Sequence, residues 1–177
     1  MKKIHLSLLL VFSAVILLFS SCQQKAEQAQ PIENFEVKRY LGSWYEIARF
    51  DFKFEKDLNN TTANYSLNED GTIRVVNKGY NPFTEEWKVA EGKAKFVGEE
   101  NIGQLKVSFF GPFYSGYNIL ALDENYQFAL IGGKDLDYLW ILSRAKTIPD
   151  TIKEEYLKIA ERTGYDTSRL LWIEHNK

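Results

Sequence analysis

Tyr40-Leu41-Gly42-Ser43-Trp44-Tyr45-Glu46 and Tyr138-Leu139-Trp140-Ile141-Leu142-Ser143-Arg144 stand about a hundred residues apart and together decide the fold. In the first, Gly42 lets the chain turn tightly without a Cβ clash, so that Trp44 can plug the closed end of a barrel. In the second, Arg144 can lie over the face of that indole, a cation–π contact that strengthens when shielded from water. Glycine, tryptophan and arginine in this order matter because of what separates them.

Between the two segments the hydrophobic period is two. Ile73, Val75 and Asn77 alternate with Arg74, Val76 and Lys78; Leu105, Val107 and Phe109 alternate with Lys106 and Ser108. Tyr126, Phe128 and Leu130 follow the same rule, as do Tyr138, Trp140 and Leu142. Turn residues punctuate them at Asn68-Glu69-Asp70-Gly71, Asn81-Pro82, Gly98-Glu99-Glu100-Asn101, Gly111-Pro112, Asp123-Glu124-Asn125 and Gly132-Gly133. Short strands so spaced predict an antiparallel sandwich or barrel. One helix follows them. Ile152, Tyr156, Ile159 and Ala160 form a single apolar stripe, with Pro149 and Asp150 at its start and Gly164 past its end. Leu170-Leu171-Trp172-Ile173 reads as a final strand.

Gly-x-Trp on the first strand, an arginine closing the last, then one helix and a strand resemble the lipocalin family from Phe35 to Ile173. The segment Leu105 to Tyr114 followed by Gly116-Tyr117-Asn118 is similar to its bacterial outer-membrane lipoprotein branch and to an animal relative. The resemblance implies an all-β fold: an eight-stranded antiparallel up-and-down barrel, the calyx, with one C-terminal α-helix packed on its outside. Gly42, Trp44 and Arg144 would close the base.

If Trp44 and Arg144 point inward, strict alternation turns Leu142, Trp140 and Tyr138 inward on the last strand. It does the same to Glu46, Ala48 and Phe50 on the first, and leaves Arg49 outside. Glu46 is then a buried carboxylate in need of a partner, for which Arg144 is the candidate. Ala63-Asn64-Tyr65-Ser66-Leu67 resembles the second strand of the animal relative, whose tyrosine faces the pocket. The resemblance thus implies that Tyr65, Asn77, Phe109 and Tyr117 join Tyr138 and Trp140 as ligand-binding residues. Small inward residues at Ala48, Ala63 and Ala121 would leave room for a ligand. Tyr114 lies between strands, either gating the mouth or sitting on the surface.

The N-terminal segment reads as an address. Lys2 and Lys3 precede an apolar run from Ile4 to Phe19, too short for a comfortable span and ending in small residues. Leu18-Phe19-Ser20-Ser21-Cys22 resembles a lipobox, although Phe19 departs from the usual leucine. Residues 1–21 are therefore expected to be a lipoprotein signal peptide. Residues 22–34 are expected to be a lipidated Cys22 and a flexible tether, and 35–177 the lipocalin domain. Gln23 after the cysteine, with no aspartate to signal retention, favours the outer membrane; the periplasmic face is the expected side, although this residue leaves the leaflet open. Cys22 is the one cysteine, so the barrel must stand on packing without an intramolecular disulfide.

Composition narrows the function. The 177 residues carry 24 acidic against 22 basic groups, and the balance becomes more negative once Lys2 and Lys3 leave. Nucleic acid would require a basic face, so it is excluded as a partner; docking by charge on anionic lipid is likewise disfavoured. Of 2 histidines, His5 lies in the leader and His175 near the C-terminus. No His/Cys metal site or nucleophile triad can be assembled, and no cofactor is called for. Aromatic residues, 15% of the chain, suit strands and an apolar pocket.

Three readings compete. In the leading one the chain is a membrane-anchored carrier, holding a fatty acid, lysophospholipid or similar amphiphile in the calyx without chemistry. In the second, the barrel is closed and exposed aromatics such as Tyr80, Phe83 and Trp87 contact a partner. In the third, an enzyme acts on an apolar substrate through Glu46, Tyr65 or Tyr138. A homodimer through the outer wall is compatible with either binding reading.

Overall fold

Nine strands alternate in direction and pair with their neighbours in sequence, from β2 round to β8, before β1 closes the ring against both β8 and β2. The structure, a computed structural model, describes residues 30–177; the expected signal peptide, Cys22 and most of the expected tether lie outside the described residues. The strands are β1 (Gly42–Phe50), β2 (Asn59–Leu67), β3 (Ile73–Asn81), β4 (Glu86–Phe96), β5 (Gln104–Phe110), β6 (Phe113–Leu122), β7 (Phe128–Gly132), β8 (Leu139–Ser143) and β9 (Leu170–Trp172). Eight of them form the barrel. A one-turn helix α1 (Val37–Tyr40) precedes β1, and α2 (Asp150–Arg162) follows β8.

Alternate side chains separate two cores. Inside the barrel Trp44, Tyr65, Ile73, Val75, Ala94, Leu105, Ile131 and Leu142 pack together with Phe35 and Tyr40. Outside, Leu130, Leu139 and Ile141 meet the α2 stripe of Ile152, Tyr156, Ile159 and Ala160, as the helical periodicity predicted. Tyr156 also donates through its hydroxyl to the Phe128 carbonyl (2.9 Å).

The expected parity of β1 fails halfway along. Glu46 pairs with Leu142, but Ala48 pairs with Ile141 and Arg49 with Trp140. Ile47 is the extra residue of a β-bulge, which reverses every later side chain. Ala48 and Phe50 therefore join the outer core with Ile47, and Arg49 enters the barrel, fully buried. Ala121, which follows a second bulge between Ile119 and Ala121, also packs against the outer core. Of the three alanines expected to leave room inside, only Ala63 is in the interior.

The seam between β1 and β2 closes in two ways. Near the base, Gly42 to Tyr45 pair directly with Tyr65 to Thr62. Beyond that the strands part, and the C-terminal segment lies between them. Ile173 N–H donates to the Ile47 carbonyl and Asn60 N–H to the Glu174 carbonyl; Lys177 N–H donates to Asn60 Oδ1, and His175 Nε2 is 2.8 Å from the Glu46 carbonyl oxygen.

Candidate ligand-binding site

The base is built around Arg144. Its guanidinium lies 3.8 Å from the centre of the Trp44 ring system. It donates to the carbonyls of Arg39, Tyr40 and Leu41 at the end of α1, to Ser43 and to Tyr126. A cation here complements the negative end of the helix. Gly42 has φ +91°, a conformation that favours glycine, while a Cβ on it would reach only ordinary contact with Arg144 Nη1 at 3.5 Å, so it is the turn that requires glycine. Trp44 Nε1 donates to the Tyr40 carbonyl (2.8 Å). Gly42, Trp44 and Arg144 are thus brought together at this end of the barrel.

Above it is a floor of three tyrosines. The Tyr117 hydroxyl lies 2.6 Å from that of Tyr40 and 2.9 Å from that of Tyr65. Burial pushes the pKa of all three above the ordinary range, so they stay protonated. Tyr40 was missed as a site residue. Its signal was its place in the opening segment, but nothing marked it as reaching into the barrel from a single helical turn.

The upper calyx holds a buried charge cluster under the β1–β2 loop, residues 51–58. Arg49 Nη1 donates to Glu46 Oε1 at 2.6 Å, and Arg49 Nε stands 3.8 Å from Glu55 Oε2. Arg49 Nη2 donates to the carbonyls of Glu55 and Leu58, tying the loop down. Arg49, expected outside, is therefore the partner of Glu46, in place of Arg144. Burial pushes the Glu46 carboxyl up, with Arg49 only partly opposing it. Glu55 is pushed up to about 8, chiefly by burial and then by the charge of Glu46. Two carboxylates thus share one guanidinium, and they titrate together.

Trp140 faces this cluster, donating through Nε1 to Glu55 Oε2 (3.3 Å). Tyr138 stacks on Trp140 at 6.0 Å, and Phe52 stands edge-on to both. Asn77 lies beside Glu55, and its buried Oδ1 accepts no hydrogen bond among the described residues. Phe109 packs on the interior, where its ring crosses Gly92 so closely that a Cβ there would lie 2.8 Å from it. Tyr65, Asn77, Phe109, Tyr117, Tyr138 and Trp140 are thus brought to one interior, from floor to rim. Glu46, Arg49, Glu55 and Phe52 join them. The last two sit in a loop that alternation cannot orient.

The interior is unevenly filled. In the lower half Trp44, Tyr65, Ile73, Val75, Leu105 and Leu142 are buried. In the upper half Asn77, Ala90, Phe109 and Trp140 keep accessible surface. Tyr114 is on the outer wall, between Lys95 and Lys106. Tyr80, expected to be exposed, is buried between the Trp87 ring and Lys177.

A family model described as a lipocalin-like domain matches residues 35–175. The outer membrane lipoprotein Blc of Citrobacter freundii is 57% identical over 143 residues, covering 81% of each chain. Blc of Vibrio cholerae is 43% identical over 169 residues, covering 95% of this chain and 98% of the relative. Rat apolipoprotein D is 42% identical, covering 71% of this chain and 69% of its own. Among solved structures, insecticyanin of the tobacco hornworm Manduca sexta superposes with a TM-score of 0.67 at 19% identity, covering 85% of this chain and 86% of that one; it supports the fold alone. By the family model and by its relatives, the chain belongs to the lipocalin family.

Proposed function

We propose that this lipocalin is an outer-membrane lipoprotein that carries a single-chain amphiphile, a fatty acid or lysophospholipid, in its calyx. The observation that carries the reading is the uneven filling of the barrel: packed at the floor, accessible in its upper half. An acyl chain would lie against Val107, Phe109 and Tyr117, gaining about 25 cal/mol for each Å² of apolar surface it buries. Its polar head would meet Glu55, Asn77 and Trp140. The closed-barrel reading does not account for accessible inward residues. The enzyme reading loses two of its three candidates: Glu46 is paired with Arg49, and a Tyr65 held protonated is no base.

Cys22 would be the acylated residue, 1–21 the signal peptide and 22–34 the tether. The names of the Citrobacter and Vibrio relatives and Gln23 after the cysteine support the outer membrane, and the anchor is proposed at its periplasmic face. Native mass spectrometry of the chain without residues 1–22, before and after adding lysophospholipid or fatty acid, tests the carrier. A one-to-one adduct lost in Trp140→Ala is expected. A folded protein that takes up no long-chain amphiphile sinks the proposal.

A further inference from the structure

The two ends of the barrel expose opposite chemistry. Four loops rim the mouth: residues 51–58, 82–85, 111–112 and 133–138. On or beside them stand Phe54, Phe83, Phe110 and Phe113, exposed by 65%, 81%, 64% and 79%. Leu136 and Tyr138 on the fourth loop are exposed as well. The loops joining strands at the base, 68–72, 97–103 and 123–127, carry Glu69, Asp70, Glu99, Glu100, Asp123 and Glu124 and no basic residue. Asp70 is paired with Lys93, and the rim loops carry Asp51, Asp57, Glu85, Asp135 and Asp137 against Lys53, Lys56 and Lys134, so exposed aromatic surface, more than charge, separates the two ends. So many exposed aromatic rings around one opening mark an interaction surface.

We propose that the mouth rim docks on a lipid bilayer, with its phenylalanines among the acyl chains and the acidic base held away. Chain length permits it. Ile32 is fixed to the barrel by hydrogen bonds with Gly103 and Ile119. From Ile119 to Phe113, at the mouth end of β6, is a rise of roughly 20 Å. The ten residues from Cys22 to Ile32 reach at most about 35 Å. A lipid anchor on Cys22 and the phenylalanine rim can therefore meet the same membrane. A single-chain lipid would then enter the calyx without crossing water, which extends the carrier reading but does not depend on it.

Photo-crosslinking in the full-length chain, processed and reconstituted in phosphatidylethanolamine/phosphatidylglycerol vesicles, tests the docking. Benzoylphenylalanine would replace, one at a time, Phe83 and Phe113 at the mouth, Glu99 at the base, and Trp140 inside. Adducts with two-chain lipid at Phe83 and Phe113 are expected at least about tenfold above Glu99, because one buried phenylalanine alone is worth that factor. In a Phe54→Ser, Phe110→Ser, Phe113→Ser background, capture at Phe83 should fall about tenfold, since three such rings no longer insert. Equal capture at mouth and base, no lipid capture at the mouth, or chain-to-chain adducts of twice the mass would overturn the proposal; the last would assign the rim to a second copy. Capture at Trp140 reports the calyx separately. Lipid there with none at the rim leaves the carrier standing without the docking, and the reverse leaves the docking without the carrier.

Discussion

Each end of the barrel is organised by one arginine, and the two are satisfied in opposite ways. Arg144 at the base is partly open to solvent and donates to five backbone carbonyls. Arg49 under the mouth loop is fully buried, and its partners include two carboxyl groups. Backbone carbonyls do not titrate within any ordinary pH range; carboxylates do. The base is accordingly fixed, whereas the mouth is held by groups whose charge depends on pH and on what occupies the calyx.

The largest effect should come from breaking the mouth. Arg49→Met strands Glu46 in the interior and releases the loop carbonyls it holds, and chemical denaturation should show a loss of about 3–5 kcal/mol. Adding Glu46→Leu should recover part of that loss, because an apolar pair needs no desolvation of charge. If the single variant loses less than about 1 kcal/mol, water is solvating Glu46 and the cluster is not truly buried.

Arg144→Ala comes next. Losing the indole contact and the shared carbonyl bonds should cost about 2 kcal/mol, with less damage than at Arg49 because water can reach the freed carbonyls. Once allowance is made for the unfolded fraction, its lipid stoichiometry should match the parent. A variant that is fully folded but has lost lipid would show that the base does more than close the barrel.

The contrast sharpens with pH. The Glu55 carboxyl is raised in the folded chain to about 8, chiefly by burial. A carboxyl so raised favours the fold below its unfolded pKa, and that advantage is lost as pH rises through the folded value. Thermal melts should therefore show the parent losing stability relative to Glu55→Gln between about pH 4.5 and 8, with a slope approaching about 1.4 kcal/mol per pH unit. Parallel curves across that window would mean Glu55 ionises freely. The smallest effect belongs to the rim: Phe83→Ser, on an exposed hairpin tip, should change stability by no more than about 0.5 kcal/mol.

The same contrast explains what could be read in the sequence. The base was legible because its parts are signalled locally: a glycine two residues before a tryptophan, and an arginine ending an alternating strand. The pocket-facing set on β3, β5, β6 and β8 followed from alternation and resemblance. The mouth cluster did not, for two reasons. Nothing in Glu46-Ile47-Ala48-Arg49 announces that Ile47 is a bulge, so Arg49 was assigned to the wrong side. Glu55 lies in a loop, where neither period applies, and its inward aim depends on Arg49 holding the loop backbone. A single irregular residue thus hid both halves of an ion cluster.

The two closures of the β1–β2 seam bear on how the cup moves. At the floor the strands bond each other directly; higher up each bonds a short C-terminal segment that belongs to neither. That segment can loosen without unpairing a single rung below it, so the opening free energy should fall from floor to lip. The wall behaves as a vessel with a welded bottom and a laced collar. The lip can widen while the floor beneath stays closed.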